Sequence, residues 1–199
     1  NIFVFPDFLN TLPYSQLRSG FAEMLKHGLI ADQKHWNDLI SIKHLNAENL
    51  FPFIETSMKI KERIVGQDFK EQHIRKTLNF GHTIGHAIES LFLQTGTAIP
   101  HGEAVALGMI CESRLAFLSN LIGEVGAENI INNIRKFYPY LSISQFSDDQ
   151  ILPLMMNDKK NSSGKISFSL LKKIGEGNFD CEVSEKDLIS TLQYYRNLN

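Results

Sequence analysis

The sequence predicts a mainly α-helical domain with one small β-hairpin near its C-terminus. Three observations carry this. From Ser15 to about Lys136, apolar residues recur three or four positions apart. The stretch KISFSLLKKIGEGNFDCEV switches to alternating segments around a Gly-containing turn, the pattern of a hairpin. The stretch SEKDLISTLQYYRNL then returns to helical spacing behind Ser184, a residue suited to an N-cap.

Taken in order, SQLRSGFAEMLKHGLIAD reads as a helix with Leu17, Phe21, Met24, Leu25 and Leu29 inward, ending near Asp32. DQKHWNDLISIKHL is a shorter helix. NAENLFPFIETSMKIKERIVGQD is a long one, expected to start after Pro52 because proline disfavours a helix interior. KEQHIRKTLNFGHTIGHAIESLF reads as one further helix, followed by the loop LQTGTAIPHG. GEAVALGMICESRLAFLSNL is apolar nearly all round and is expected to lie buried at the centre. The opening NIFVFPDFLNTLP resembles the last strand of something earlier, so residues 1–12 are read as a domain junction and 13–199 as one helical unit.

The bulk properties narrow the function. The 199 residues are 43% hydrophobic and 21% charged, as in an ordinary globular protein. A net charge of −2 leaves no basic excess to neutralise phosphates, so no nucleic-acid partner is expected. No apolar run reaches the roughly 18–20 residues needed to span a bilayer, and no membrane association is expected. Cys111 and Cys181 are too few for a disulfide framework and fit a reducing, cytoplasmic setting.

LNFGHTIGHAIES places His82 and His86 four residues apart. On a helix such positions lie about 40° from each other, so both side chains project side by side. Gly81 and Gly85 precede them, each costing about 1 kcal/mol relative to alanine inside a helix. That cost implies that something approaches this backbone closely: a bound metal or substrate, or a tight helix crossing with two histidines at its edge. HTIGH differs from the zinc-protease pattern H-E-x-x-H at Thr83, where the general base should stand. None of the seven histidines is followed by aspartate, which removes a second class of helical metal site.

A third histidine, His101, stands where a Gly- and Pro-containing loop meets the apolar helix. Catalytic zinc takes three protein ligands and keeps a position open, so a carboxylate can complete the set. Two are candidates. Glu89 lies seven residues after His82, nearly on its face. Glu23 sits between Ala22 and Met24, where burial would require a metal or Lys26 as partner. Spacing alone leaves the choice open.

Four blocks, FLNTLPYSQLRSGFAEMLKHG, IRKTLNFGHTIGHAIE, HGEAVALGM and NDKKNSSGKISFSLLKKIG, together resemble the successive C-terminal blocks of the 3-dehydroquinate synthase family. The resemblance covers essentially the whole chain and implies the multi-helix C-terminal domain of that superfamily. The residues before position 13 would then end a nucleotide-binding half. It implies that Glu23, His82 and His101 bind Zn²⁺ or Co²⁺, selecting Glu23 over Glu89. It implies substrate contacts for Lys26, Lys61, Arg75, Asn79 and His86, with Lys61 and Arg75 at a carboxylate and Lys159 or Lys160 at a phosphate. His86 and Lys26 would take part in catalysis. Phe69 and His73 depart from the family pattern, which usually has an acidic residue and often a glycine at those places.

The resemblance further implies NAD as cofactor, a homodimer, and a sugar-acid phosphate as substrate. The expected reaction turns 3-deoxy-D-arabino-heptulosonate 7-phosphate into 3-dehydroquinate and phosphate, a step of the shikimate pathway. A related sugar-phosphate cyclase of the 2-deoxy-scyllo-inosose synthase type, a polyol dehydrogenase of the same superfamily, and a helical binding module with a vestigial site are the rival readings.

Overall fold

The stretch His101–Leu118 (α5) forms the axis of the domain, and Ala104, Val105, Ala106, Met109, Cys111, Leu115 and Ala116 on it are all fully buried. The computed structural model describes residues 3–157 and 166–198. Ahead of α5 come Tyr14–Ala31 (α1), Gln33–Ile40 (α2), Ala47–Gln67 (α3) and His82–Gln94 (α4), with 3-10 turns at Pro6–Thr11 and Ile74–Asn79. After it come Glu124–Arg135 (α6), Asp148–Asn157 (α7), the strands Ile166–Lys173 (β1) and Glu176–Val183 (β2), and Glu185–Arg196 (α8). The expected architecture, helices with a single antiparallel hairpin near the C-terminus, is the one observed.

Local signals account for much of this. In α1 the five residues expected to face inward, Leu17, Phe21, Met24, Leu25 and Leu29, are all buried. Each such side chain contributes roughly 1.5–3 kcal/mol through the water it leaves. Asp32 ends α1 and caps α2, its carboxylate accepting the His35 N–H at 3.0 Å. Ser184 caps α8, accepting the Asp187 N–H at 3.2 Å.

Two expectations were wrong in detail, and one helix was missing from them. The long helix α3 begins at Ala47, not after Pro52, because Asn46 caps it by accepting the Asn49 N–H at 2.8 Å and Leu50 is buried in its first turns. That anchorage outweighs the one backbone hydrogen bond proline removes. The segment from Lys70 to Phe92 is not one helix. It runs as a 3-10 turn that stops at Phe80, and Gly81, with φ +82°, redirects the chain before α4 starts. Helix α7 was not foreseen: it is ten residues long and contains Pro153, a residue that disfavours a helix interior.

Helix α4 crosses α5 at backbone contact. A Cβ at Gly85 would lie 2.8 Å from the Ala104 carbonyl oxygen, and one at Gly108 would overlap the Gly81 carbonyl oxygen. On its other side α5 meets α1. Gly102 packs on the Ser19 backbone, the Gly102 N–H donates to Ser19 Oγ at 2.7 Å, and Arg18 pairs with Glu103. The hairpin closes over the second 3-10 turn, with Ser169 Oγ donating to the Lys76 carbonyl at 2.6 Å. Ahead of α1, Phe3, Phe5 and Phe8 are exposed. Among the described residues, no helix is long and apolar enough to cross a membrane.

Candidate metal centre

The two crossings at α5 bring α1, the start of α4 and the start of α5 to one point. Glu23 and Lys26, three apart on α1, face it together, and Lys26 Nζ donates to Glu23 Oε2 at 2.6 Å. The other oxygen, Glu23 Oε1, lies 3.4 Å from His82 Nε2 and 3.8 Å from His101 Nε2. It is buried, and neither approach has hydrogen-bond geometry. His86 joins the group: one donor atom from each of His82, His86 and His101 fits within a 4.8 Å span.

The rings are held from behind. His82 Nδ1 is 3.2 Å from the Phe80 carbonyl oxygen, and His101 Nδ1 is 3.3 Å from Glu89 Oε2. Both partners are acceptors, so with a proton on each Nδ1 the rings would present their Nε2 lone pairs toward Glu23. In that tautomer a carboxylate oxygen and two nitrogen lone pairs converge on one point, an arrangement that a cation between them would complete. Donors about 2.0–2.2 Å from a tetrahedral zinc stand about 3.3–3.6 Å apart, close to the separations found. Among the described residues, the donor set and its spacing therefore fit a divalent metal.

The charges around the cluster agree with that fit. Burial alone would raise the Glu23 carboxyl, but His82 and Lys26 outweigh it and hold it well below the usual carboxylate range. Glu23 is thus ionised and ready to bind a cation. Burial lowers the Lys26 ammonium, Glu23 partly restores it, and Lys61 on α3 pushes it down further. Lys61 is exposed, yet its charge reaches both Lys26 and His27.

Arg75 and Asn79 belong to a second cluster, built on the loop before α4. Asp68 accepts the backbone N–H groups of Gln72, His73 and Arg75 at 3.0, 2.7 and 3.1 Å. Glu71, at φ +56°, accepts from Asn79 Nδ2 at 2.8 Å and lies 3.6 Å from Arg75 Nε. The Arg75 guanidinium also donates to the Phe69 carbonyl at 2.7 Å. Phe69 and His73, the two departures from the family pattern, are part of this loop: the Phe69 carbonyl accepts from Arg75 and the His73 N–H donates to Asp68. Lys159 and Lys160 lie outside the described residues.

Sequence reasoning passed over Glu71 and Glu112. Glu71 carries no distinctive local pattern. Glu112 did carry a signal, a carboxylate in an otherwise apolar helix. The glycines before the histidines serve the helix crossing, while the histidines themselves face the cluster.

A family described as "3-dehydroquinate synthase C-terminal" matches residues 20–161. The chain belongs to the 3-dehydroquinate synthase family. The 3-dehydroquinate synthase of Parabacteroides distasonis is 39% identical over 197 residues, covering 98% of this chain and 56% of that protein. That of Alkaliphilus metalliredigens is 39% identical over 192 residues, covering 94% and 53%. The chain thus spans about half the length of the 3-dehydroquinate synthases it matches. Among solved structures, a 2-deoxy-scyllo-inosose synthase complexed with carbaglucose-6-phosphate, NAD⁺ and Co²⁺ aligns with TM-score 0.76 and 28% identity over 96% of this chain and 55% of its own. A 2-epi-5-epi-valiolone synthase from Streptomyces hygroscopicus, with NAD⁺ and Zn²⁺ bound, shares the fold at TM-score 0.83 and 22% identity, over 98% and 55%. The stretches around Glu23, His82 and His101, which the crossings gather, all lie within the matched residues.

Proposed function

We propose that this chain is the metal- and substrate-binding part of a 3-dehydroquinate synthase, in which Glu23, His82 and His101 hold a Zn²⁺ or Co²⁺ ion. The observation that carries this is Glu23 Oε1, buried without a hydrogen bond and facing two imidazole nitrogens at 3.4 and 3.8 Å. Curated relatives near 39% identity that bear this name favour it over other cyclases of the fold. NAD would be bound mainly by a preceding domain, for which residues 1–12 form the junction and 13–199 the unit described. The exposed Phe3, Phe5 and Phe8 suit such a covered face. A cytoplasmic homodimer completes the reading.

The overall conversion takes 3-deoxy-D-arabino-heptulosonate 7-phosphate to 3-dehydroquinate and inorganic phosphate. When bound, the metal supplies Lewis acidity toward substrate hydroxyls, and NAD⁺ a reversible hydride acceptor. Glu23, His82 and His101 with neutral rings would leave a bound dication a net charge of +1, so the ion would supply electrostatic support for an electron-rich substrate oxygen. The chain's own groups bind and orient. Arg75 offers a planar fork to the carboxylate and Lys61 a second positive charge. Lys159 or Lys160 would meet the phosphate as a point charge. Lys26 keeps Glu23 ionised and offers its ammonium to a substrate oxygen. His86, beside the ligands, holds or accepts a proton from the substrate carbon skeleton. Several charge-assisted contacts, each about 1.5–3 kcal/mol, fix one pose among several for a reactive intermediate.

Zinc stoichiometry of the chain tests the core of this reading. One equivalent is expected in the unmodified protein and a large loss in Glu23→Ala and His82→Ala. Full retention in both variants rejects the site. In the enzyme with its nucleotide-binding half, release of phosphate from the seven-carbon acid but not from glucose 6-phosphate separates it from 2-deoxy-scyllo-inosose synthase. Accumulation of free NADH would instead identify a dehydrogenase.

A further inference from the structure

Glu112 is fully buried in α5, yet it belongs to neither cluster described above. We infer that Glu112 is a positioning residue of the metal centre: it caps α4 from a neighbouring helix and so sets where His82 meets Glu23. The inference rests on the metal reading given above.

The starting point is an N-terminus that cannot cap itself. Helix α4 has Gly81 as its N-cap, with φ +82° and no side chain to accept the free N–H groups of the first turn. The usual capping residues are barred there. A Cβ at position 81 would come within 2.6 Å of Met109 Cγ and 2.9 Å of the Val105 carbonyl oxygen, and the φ value is itself strained for any side chain. The crossing that demands glycine therefore leaves buried donors in need of an acceptor.

Glu112 is that acceptor. It lies four residues after Gly108 and three after Met109, on the face of α5 that meets α4. Its Oε2 accepts the Gly81 N–H at 2.5 Å and its Oε1 the Ile84 N–H at 3.3 Å. Those two donors flank His82, so one carboxylate grips the backbone on both sides of that ligand. The buried charge is compensated by the positive end of the helix and by the electrostatic influence of Lys26. Three carboxylates thus act on the site at different depths: Glu23 faces the cluster, Glu89 orients a ring, and Glu112 fixes a main-chain segment.

The experiment uses the whole chain loaded with Co²⁺, whose visible absorption reports ligand geometry. Glu112→Gln keeps the volume and one acceptor but loses the second; Glu112→Ala loses both. Both are compared with the unmodified chain by Co²⁺ affinity, by the Co²⁺ absorption band, by thermal unfolding, and by the amide resonance of Gly81 without metal. The expected result for Glu112→Gln is a folded protein whose Gly81 amide shifts and exchanges faster. Its Co²⁺ affinity should fall about tenfold or more with an altered band, the range seen when groups behind metal ligands are removed. Unchanged affinity and absorption in Glu112→Gln overturn the inference, even if the melting temperature drops. The glutamine variant decides the matter should the alanine variant fail to fold. If the unmodified chain takes up no Co²⁺ while Gly81 still shows the bond to Glu112, the metal reading fails and this role fails with it.

Discussion

Glu89 Oε2 lies 3.3 Å from His101 Nδ1, the ring nitrogen not turned toward Glu23. Spacing along α4 made Glu89 a ligand candidate equal to Glu23. The fold places its carboxylate against the side of the His101 ring that faces away from Glu23.

The two carboxylates should therefore differ in kind. Glu89→Ala is expected to weaken zinc binding by about 10–100-fold, the usual effect of losing a partner behind a ligand. Glu23→Ala is expected to remove high-affinity binding altogether. Competition against a chromophoric chelator measures both. Normal binding in Glu23→Ala together with none in Glu89→Ala would exchange their roles.

His27 should make the fold acid-sensitive. Burial pushes its pKa down to about 3, and the neighbouring Lys26 adds to the effect. Its Nδ1 is 2.7 Å from Ser57 Oγ. A histidine whose folded pKa lies below its unfolded value of about 6.5 stabilises the protein fully above pH 6.5 and loses that contribution as pH falls toward 3. Each pH unit in that window costs about 1.4 kcal/mol at most, so roughly 2 kcal/mol or more should disappear between pH 6 and pH 4. Urea unfolding at a series of pH values, with chelator present, measures the slope. His27→Gln should flatten it; an equally steep fall in that variant would place the sensitivity elsewhere.

Two glycines in helices should respond in opposite directions. Gly108→Ala forces a methyl group into the Gly81 carbonyl oxygen, backbone against backbone, and should cost about 3 kcal/mol or more. Gly20 in α1 has nothing within 4 Å of an added Cβ. Gly20→Ala should stabilise by about 0.5–1 kcal/mol through helix propensity. Thermal melts of the two variants compare directly, and a neutral Gly108→Ala would mean that the α4–α5 crossing is looser than described.

Asp68 should govern the arginine loop. Burial raises its carboxyl, but the N–H groups of His73, Gln72 and Arg75 outweigh this and lower it, so the charge persists to acid pH. The lowered value means that this support is present above the unfolded pKa and is lost as pH falls through the folded one. In Asp68→Ala, hydrogen exchange at the three amides should accelerate while zinc uptake stays as in the unmodified chain. Unchanged protection would show that the loop is held by other contacts.

Some of this molecule was legible locally. The inward face of α1, the caps at Asp32 and Ser184, the hairpin and the buried character of α5 follow from periodicity and capping chemistry within a few residues. Helix α3 and the break at Gly81 were misread for a related reason. A cap at Asn46 competes with a proline, and a glycine at φ +82° is imposed by a neighbouring helix, so neither outcome is settled by the segment alone.

By itself the sequence determined much of the inventory: most of the helices and the hairpin, the side chains they offer, and that His82, His86 and His101 are available as donors. Only the tertiary structure decided that Glu23 stands beside both His82 and His101 while Glu89 meets the other side of the His101 ring, that Gly81 and Gly108 serve a crossing, and that Glu112 caps a helix it does not belong to. The physical reason is range. Helix propensity and capping act over a few residues of chain, whereas the meeting of these groups depends on where α1, α4 and α5 cross, which is set by packing between residues as far apart as Ser19 and Gly102.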